Sequence, residues 1–143
     1  MNSQFVKSVL AGIIATIAMT AMMMISAKLG MPKMEPPKML AKTMGFSVTM
    51  GWVMHFMIGI IFALMYTYLF RGWLTKINSI VLKGVTFGII AFVLAQIGMV
   101  IMGSIFPDMP QPQGNMMLII LGSIVGHVLF GVVVTLIVSK SHN

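Results

Sequence analysis

The sequence predicts an all-α integral membrane protein, with four transmembrane helices arranged as a tandem repeat of two helical hairpins. A pseudo-two-fold axis along the membrane normal relates the hairpins. Three observations lead there. Mean hydropathy is +1.04, and only 8% of the 143 residues are charged, where a soluble domain carries about 25%. Four apolar runs each extend for about 20 residues, the length that crosses a hydrocarbon core of about 30 Å as a helix. The first two runs reappear, in order, as the last two.

Met1 to Lys7 is a short basic start, and Ser8 to Ala27 is the first span. This span lacks a clean small-residue cleavage site, and its reappearance in mid-chain argues that it is retained rather than removed as a signal peptide. Lys28 to Thr49 is a linker containing Pro32, Pro36 and Pro37. Within it, residues 38–44 are expected to form a short interfacial helix. Lys38 and Lys42 share one face, Met39, Leu40 and Met44 populate the other side, and Gly45 is placed to end it.

The second span, Met50 to Phe70, carries no formal charge. Trp52 stands near its start and Tyr66, Tyr68 and Trp73 near its end, as in interfacial aromatic belts. Arg71 to Lys83 reads as a tight basic loop, and Gly84 to Ile105 as the third span, with Gln96 inside it. Phe106 to Asn115 is a proline-rich turn holding Asp108, Met116 to Val138 is the fourth span, and Ser139 to Asn143 is a polar tail. Residues 1–143 thus form a single membrane domain, with one repeat at about 5–70 and the other at about 81–138.

The repeat rests on specific matches. A constant shift carries Lys7, Val9, Gly12, Ile13, Ile14 and Ala15 onto Lys83, Val85, Gly88, Ile89, Ile90 and Ala91. A slightly shorter one carries Val53, His55, Gly59 and Leu64 onto Val125, His127, Gly131 and Leu136. Matches of Ile and Val are cheap in apolar sequence, whereas Lys, Gly and His matching in order are not.

Nine basic residues against two acids give a net charge of +7. The basic residues lie at span ends and in loops, where they meet lipid headgroups, so nucleic acid is not an expected partner. Lys7, Arg71, Lys76, Lys83 and Lys140 fall on one side of the membrane; Lys28, Lys33, Lys38 and Lys42 fall on the other. By the positive-inside rule both termini are expected in the cytoplasm, with the protein in the cytoplasmic (inner) membrane. The absence of cysteine excludes disulfides, thiolate metal sites and cysteine nucleophiles.

Lipid tails are as apolar as Leu or Ile, so membrane helices associate through small and polar residues. Stripes of these recur every fourth residue: Ser8, Gly12, Thr16, Thr20; Gly51, His55, Gly59, Ala63, Thr67; Gly84, Gly88, Phe92, Gln96; and Ser123, His127, Gly131, Thr135, Ser139. The expectation is one bundle with all four stripes facing inward and Gly12, Gly51, Gly59, Gly88 and Gly131 at the helix contacts.

His55 and His127 are the candidate site. Ionisable groups inside spans are costly and face the interior or a cavity, and each of these two has a glycine four residues on. Three readings stay open: a structural pair of neutral rings, a bis-histidine haem b site, or a directly bound metal. The 18 methionines add Cu(I), which thioethers favour, although methionine is equally an adaptable apolar filler. For Glu35 and Asp108, turn or helix-end roles compete with pairing to Lys33 or Lys38. No nucleophile–base set and no phosphate-binding glycine loop is evident.

At Ala11-Gly12-x-x-Ala15-Thr16-x-x-Met19-Thr20 and Gly51-Trp52-x-x-His55-Phe56-x-x-Gly59, the chain resembles a family of short four-span bacterial and archaeal integral membrane proteins, a domain of unknown function. The resemblance implies four spans and no activity. The expected function is that of a non-enzymatic membrane protein, an accessory or assembly subunit of a membrane complex. A haem-binding or Cu(I)-handling protein is the alternative, and a small transporter or channel acting as a homodimer the further one. The expected partners are the lipid bilayer, other membrane subunits and a second copy of the chain.

Overall fold

Helix starts and stops follow local chemistry. In a computed structural model that describes residues 3–139, α1 is Ser3–Lys28, α2 Pro36–Met44 and α3 Val48–Met65. A π-helical turn, Tyr66–Phe70, carries α3 into the short α4, Arg71–Trp73, and the 3-10 turn Leu74–Lys76; α5 is Ile80–Ile105 and α6 Met116–Ser139. Lys140, counted above in the orientation, lies outside the described residues.

The Ser47 hydroxyl accepts the Met50 N–H at 3.3 Å and the Ser79 hydroxyl accepts the Leu82 N–H at 3.3 Å. These N-caps start α3 and α5 a few residues earlier than hydropathy indicates. Pro36 and Pro37 sit in the first turn of α2, where the missing N–H has no intrahelical partner to lose. The interfacial helix therefore begins at Pro36 rather than at Lys38. Gly45 ends it at φ +69°, the left-handed cap that glycine adopts without a Cβ penalty. The expected basic loop 71–83 is mostly helical too, leaving only residues 77–79 between helical segments.

Four helices are long and apolar enough to cross a membrane: Ser3–Lys28, Val48–Lys76, Ile80–Ile105 and Met116–Ser139. Among the described residues there is no strand. The all-helical, four-span expectation therefore holds.

Within the bundle α1 is central. It packs on α3 and on α6; α5 packs principally on α6, and α2 lies against α3. At α1–α3, a Cβ on Gly12 would fall 2.6 Å from the Ile60 Cα, and one on Gly59 would strike the Thr16 hydroxyl. At α5–α6, a Cβ on Gly88 would fall 2.5 Å from the His127 carbonyl and from the Val128 Cα, and one on Gly131 would meet the Gly84 and Gly88 backbones. On α6 two glycines accept methionines: Gly126 faces Met19, Met22 and Met23 of α1, and Gly122 faces Met34 of the linker. Gly51 packs against the Pro37 carbonyl and Ala41, holding α2 rather than another span.

Side-chain hydrogen bonds add to the seams. Ser8 and Thr67 hydroxyls meet at 2.7 Å between α1 and the π turn, and the Thr135 hydroxyl donates across to the Ile80 carbonyl at 3.3 Å.

Two stripes depart from expectation: on α6 Gly131 and Thr135 are buried but Ser123, His127 and Ser139 only half-buried, and the α5 stripe is buried only in part. All five residues Gly51, His55, Gly59, Ala63 and Thr67 are buried, as are Ser8, Gly12, Thr16 and Thr20. On α5 burial covers Gly84, Phe87, Gly88 and Ala91 and then ends; Phe92 is half-buried and Gln96 is exposed. Here α5 makes no substantial contact with α3. The two approach at the other end, where the π turn brings Tyr66 to 4.9 Å and Phe70 to 5.8 Å from the Phe87 ring. An extra residue in a helical turn redirects the side chains beyond it, and here it places both rings on α5.

Candidate functional site

The divergence of α3 and α5 opens a cleft of about 330 Å³. His55, Ile58, Gly59 and Phe62 of α3 form one wall; Leu94, Gly98, Met99 and Met102 of α5 form the other. Thr16 and Met19 of α1, with His127 and Phe130 of α6, supply the floor, and Pro36, Met39 and Leu40 close one end. Gly98 has nothing within 4 Å of the place a Cβ would take, so the α5 wall is free of packing there. The size and the mostly apolar lining with a few polar groups match a small-molecule pocket.

Both candidate histidines line this cleft, but they are held differently. His55 is buried, 7% exposed, with Nε2 3.1 Å from the Thr20 hydroxyl of α1. Trp52 and Phe56 flank its ring at centroid distances of 6.3 Å each. His127 is half-buried. Its Nδ1 lies 2.7 Å from the Ser123 carbonyl. A carbonyl only accepts, so Nδ1 carries the proton, and Nε2 of the neutral ring is left as an acceptor or metal ligand. Phe92 of α5 meets the His127 ring edge-to-face at 5.8 Å.

No buried side-chain nitrogen or oxygen among the described residues lacks a partner. Both rings line the same cleft.

The same walls carry Met19, Met39, Met99 and Met102, so two imidazoles and four thioethers border one space. Among the described residues no group of three or more His, Cys, Asp or Glu is placed to hold a metal. Any metal here would draw on the thioethers as well as the imidazoles, and soft ligands of that kind suit Cu(I).

The two acids part company. Glu35 pairs with Lys38 at 2.7 Å and with Lys33 at 3.5 Å. The hydrogen bond from Lys38 is the main cause that holds its carboxyl below the usual 4.5, against an opposing effect of desolvation. Asp108 is exposed and makes no ion pair within the 4.0 Å limit among the described residues.

Two features of the site escape a stripe reading. The Gly122–Gly126 pair lies one position off the His127 stripe, yet Gly126 packs on α1 and Gly122 on the linker that follows it. Its small-x-x-x-small spacing was the available signal. The cleft itself has no sequence signature, because it comes from two helices failing to pack.

A model of a family of unknown function, DUF6789, matches residues 2–142 of the chain. No curated protein and no solved structure matches it.

Proposed function

The chain belongs to this family of unknown function, and we propose that it is a non-enzymatic membrane-embedded binding protein whose ligand is lipid-soluble and enters the α3–α5 cleft from the bilayer. One observation carries this reading: two histidines distant in the chain line one apolar cleft, each with one ring nitrogen already held by a hydrogen bond. An apolar space accepts the body of a lipophilic molecule, and two imidazoles fix its polar end. The Thr20 hydroxyl holds Nε2 of His55, while His127, protonated at Nδ1, offers Nε2 as an acceptor. Haem b and Cu(I) are the cofactor forms of the same reading, the second favoured by the four thioethers on the walls.

We read the four spans as two copies of one hairpin. Gly12 and Gly59 meet in the first, and Gly88 and Gly131, which the sequence shift relates to them, meet in the second. We further propose, from the positive-inside balance of the loops, that it lies in the cytoplasmic membrane with both termini in the cytoplasm.

Purification in mild detergent, followed by native mass spectrometry, visible absorption and metal analysis, tests the proposal. Bound lipophile, haem or copper is expected in the wild type and is lost in His127→Ala. An empty wild-type cleft, or a ligand retained equally in His55→Ala and His127→Ala, overturns it.

A second reading has its own support. Gln96 is an exposed amide well inside a span, and lipid offers it no hydrogen-bond partner. A second copy of the chain, meeting it Gln96 to Gln96, supplies one and makes the protein a homodimer. Gln96→Leu is then expected to shift dimer to monomer in detergent by analytical ultracentrifugation; an unchanged monomer in both forms rules it out.

A further inference from the structure

A second cavity, of about 400 Å³, lies where α1, the linker and α2 come together at the membrane end opposite the termini. Part of its lining is apolar: Met23, Met24 and Ala27 of α1 and Trp52 of α3. Its rim is cationic. Lys28, Lys33 and Lys38 all line it, with Glu35 as the one acid.

The rim is ordered rather than diffuse. Glu35 holds Lys33 at 3.5 Å and Lys38 at 2.7 Å, so one carboxylate sets the position of two ammonium groups. Pro36 and Pro37, which fix the backbone next to them, also line the cavity. Lys28, at the last position of α1, makes no ion pair within the 4.0 Å limit among the described residues. Three ammonium groups against one carboxylate leave the rim an excess of positive charge.

From this geometry we infer that the cavity is a binding site for an anionic glycerophospholipid. The phosphate diester sits among Lys28, Lys33 and Lys38, and the start of an acyl chain lies over Met23, Met24 and the Trp52 ring. The chemistry of the cavity requires both halves of such a ligand. A free phosphate would use the lysines and leave the apolar interior empty, whereas a zwitterionic lipid would fill the interior and bring its own cation to a rim that is already cationic. The inference stands independently of what the histidine cleft binds, although the two sites adjoin: Thr20 lines this cavity and hydrogen-bonds His55, which lines the other.

Trp52 makes the site measurable. The chain has two tryptophans, so Trp73→Phe leaves Trp52 as the only one. In that background, quenching of Trp52 by brominated phosphatidylglycerol is compared with quenching by brominated phosphatidylcholine in mixed micelles, with inorganic phosphate as competitor. Each lysine near an anionic lipid surface contributes about five-fold in affinity. The expected preference for phosphatidylglycerol is therefore at least about ten-fold, and it disappears in the Lys28→Gln/Lys33→Gln/Lys38→Gln variant.

The lysines at 33 and 38 have side chains 70% and 57% exposed, so their replacement leaves the fold intact, which circular dichroism checks. Equal quenching by the two lipids, or a preference that survives in the triple variant, overturns the site. Displacement of the lipid by millimolar inorganic phosphate also overturns it, because the anion alone would then account for binding.

Discussion

Gly88→Ala and Gly98→Ala add the same methyl group to the same helix, ten residues apart, and the structure gives them opposite consequences. At Gly88 the new Cβ would lie 2.5 Å from both the His127 carbonyl oxygen and the Val128 Cα, and 2.9 Å from the Val128 nitrogen. Comfortable contact needs about 3.5 Å, so α5 and α6 must separate by about 1 Å along their closest approach. The obstacle is backbone, which has no rotamer to change. Overpacking of this kind costs about 1–3 kcal/mol. Replacing a helical glycine by alanine returns at most about 1 kcal/mol of backbone entropy.

At Gly98 nothing lies within 4 Å, so only the favourable contribution remains. The two variants should therefore differ by about 1–3 kcal/mol, which is up to about a hundred-fold in an unfolding equilibrium. Reversible unfolding in mixed micelles, followed by circular dichroism against rising SDS, measures the difference. Gly88→Ala should also disturb the His127 turn and weaken whatever the cleft holds. If the two variants shift the midpoint equally, glycine contacts do not set the α5–α6 seam, and the packing scheme is wrong.

Three further outcomes are expected. Thr20→Val keeps the shape but removes the hydroxyl bonded to His55; interhelical hydrogen bonds in membranes average about 0.6 kcal/mol, so a small loss of stability in the same SDS titration is expected, and an unchanged midpoint would show that this bond adds nothing. The Glu35 carboxyl is held below its ordinary value of 4.5, so its ion pairs contribute fully at neutral pH and are lost as pH falls through the lowered value. Hydrogen exchange over residues 29–44 should therefore accelerate only in that acidic window, and the step should be absent in Glu35→Gln. Reporter fusions at the two termini should land on the same side of the membrane, as four spans require; opposite sides would remove one span from the architecture.

The sequence by itself determined the elements. Hydropathy and length are local properties, and a bilayer of fixed thickness turns them into spans without reference to anything else in the chain. The capping serines, the proline pair and Gly45 then place the ends, although hydropathy alone begins α5 at Gly84 instead of Ile80. The glycines at contacts and the paired histidines were also legible, because small and ionisable residues are conspicuous in apolar surroundings.

Only the tertiary structure decided how the helices face one another. In lipid an isoleucine gains little by turning inward, so the rotation and neighbours of a span depend on a few close contacts. The sequence stripes treat α1 and α5 alike, yet Thr20 is buried against His55 while Gln96, its partner under the shift, is exposed. The cause lies in pairing. Gly126 draws α6 onto the methionines of α1, whereas the π turn that extends α3 meets α5 through the bulky rings of Tyr66, Phe70 and Phe87 at one end. Bulky rings hold helices apart where glycines would let them close. The bundle therefore stays open along that side, and the two histidines line a cleft instead of a sealed core.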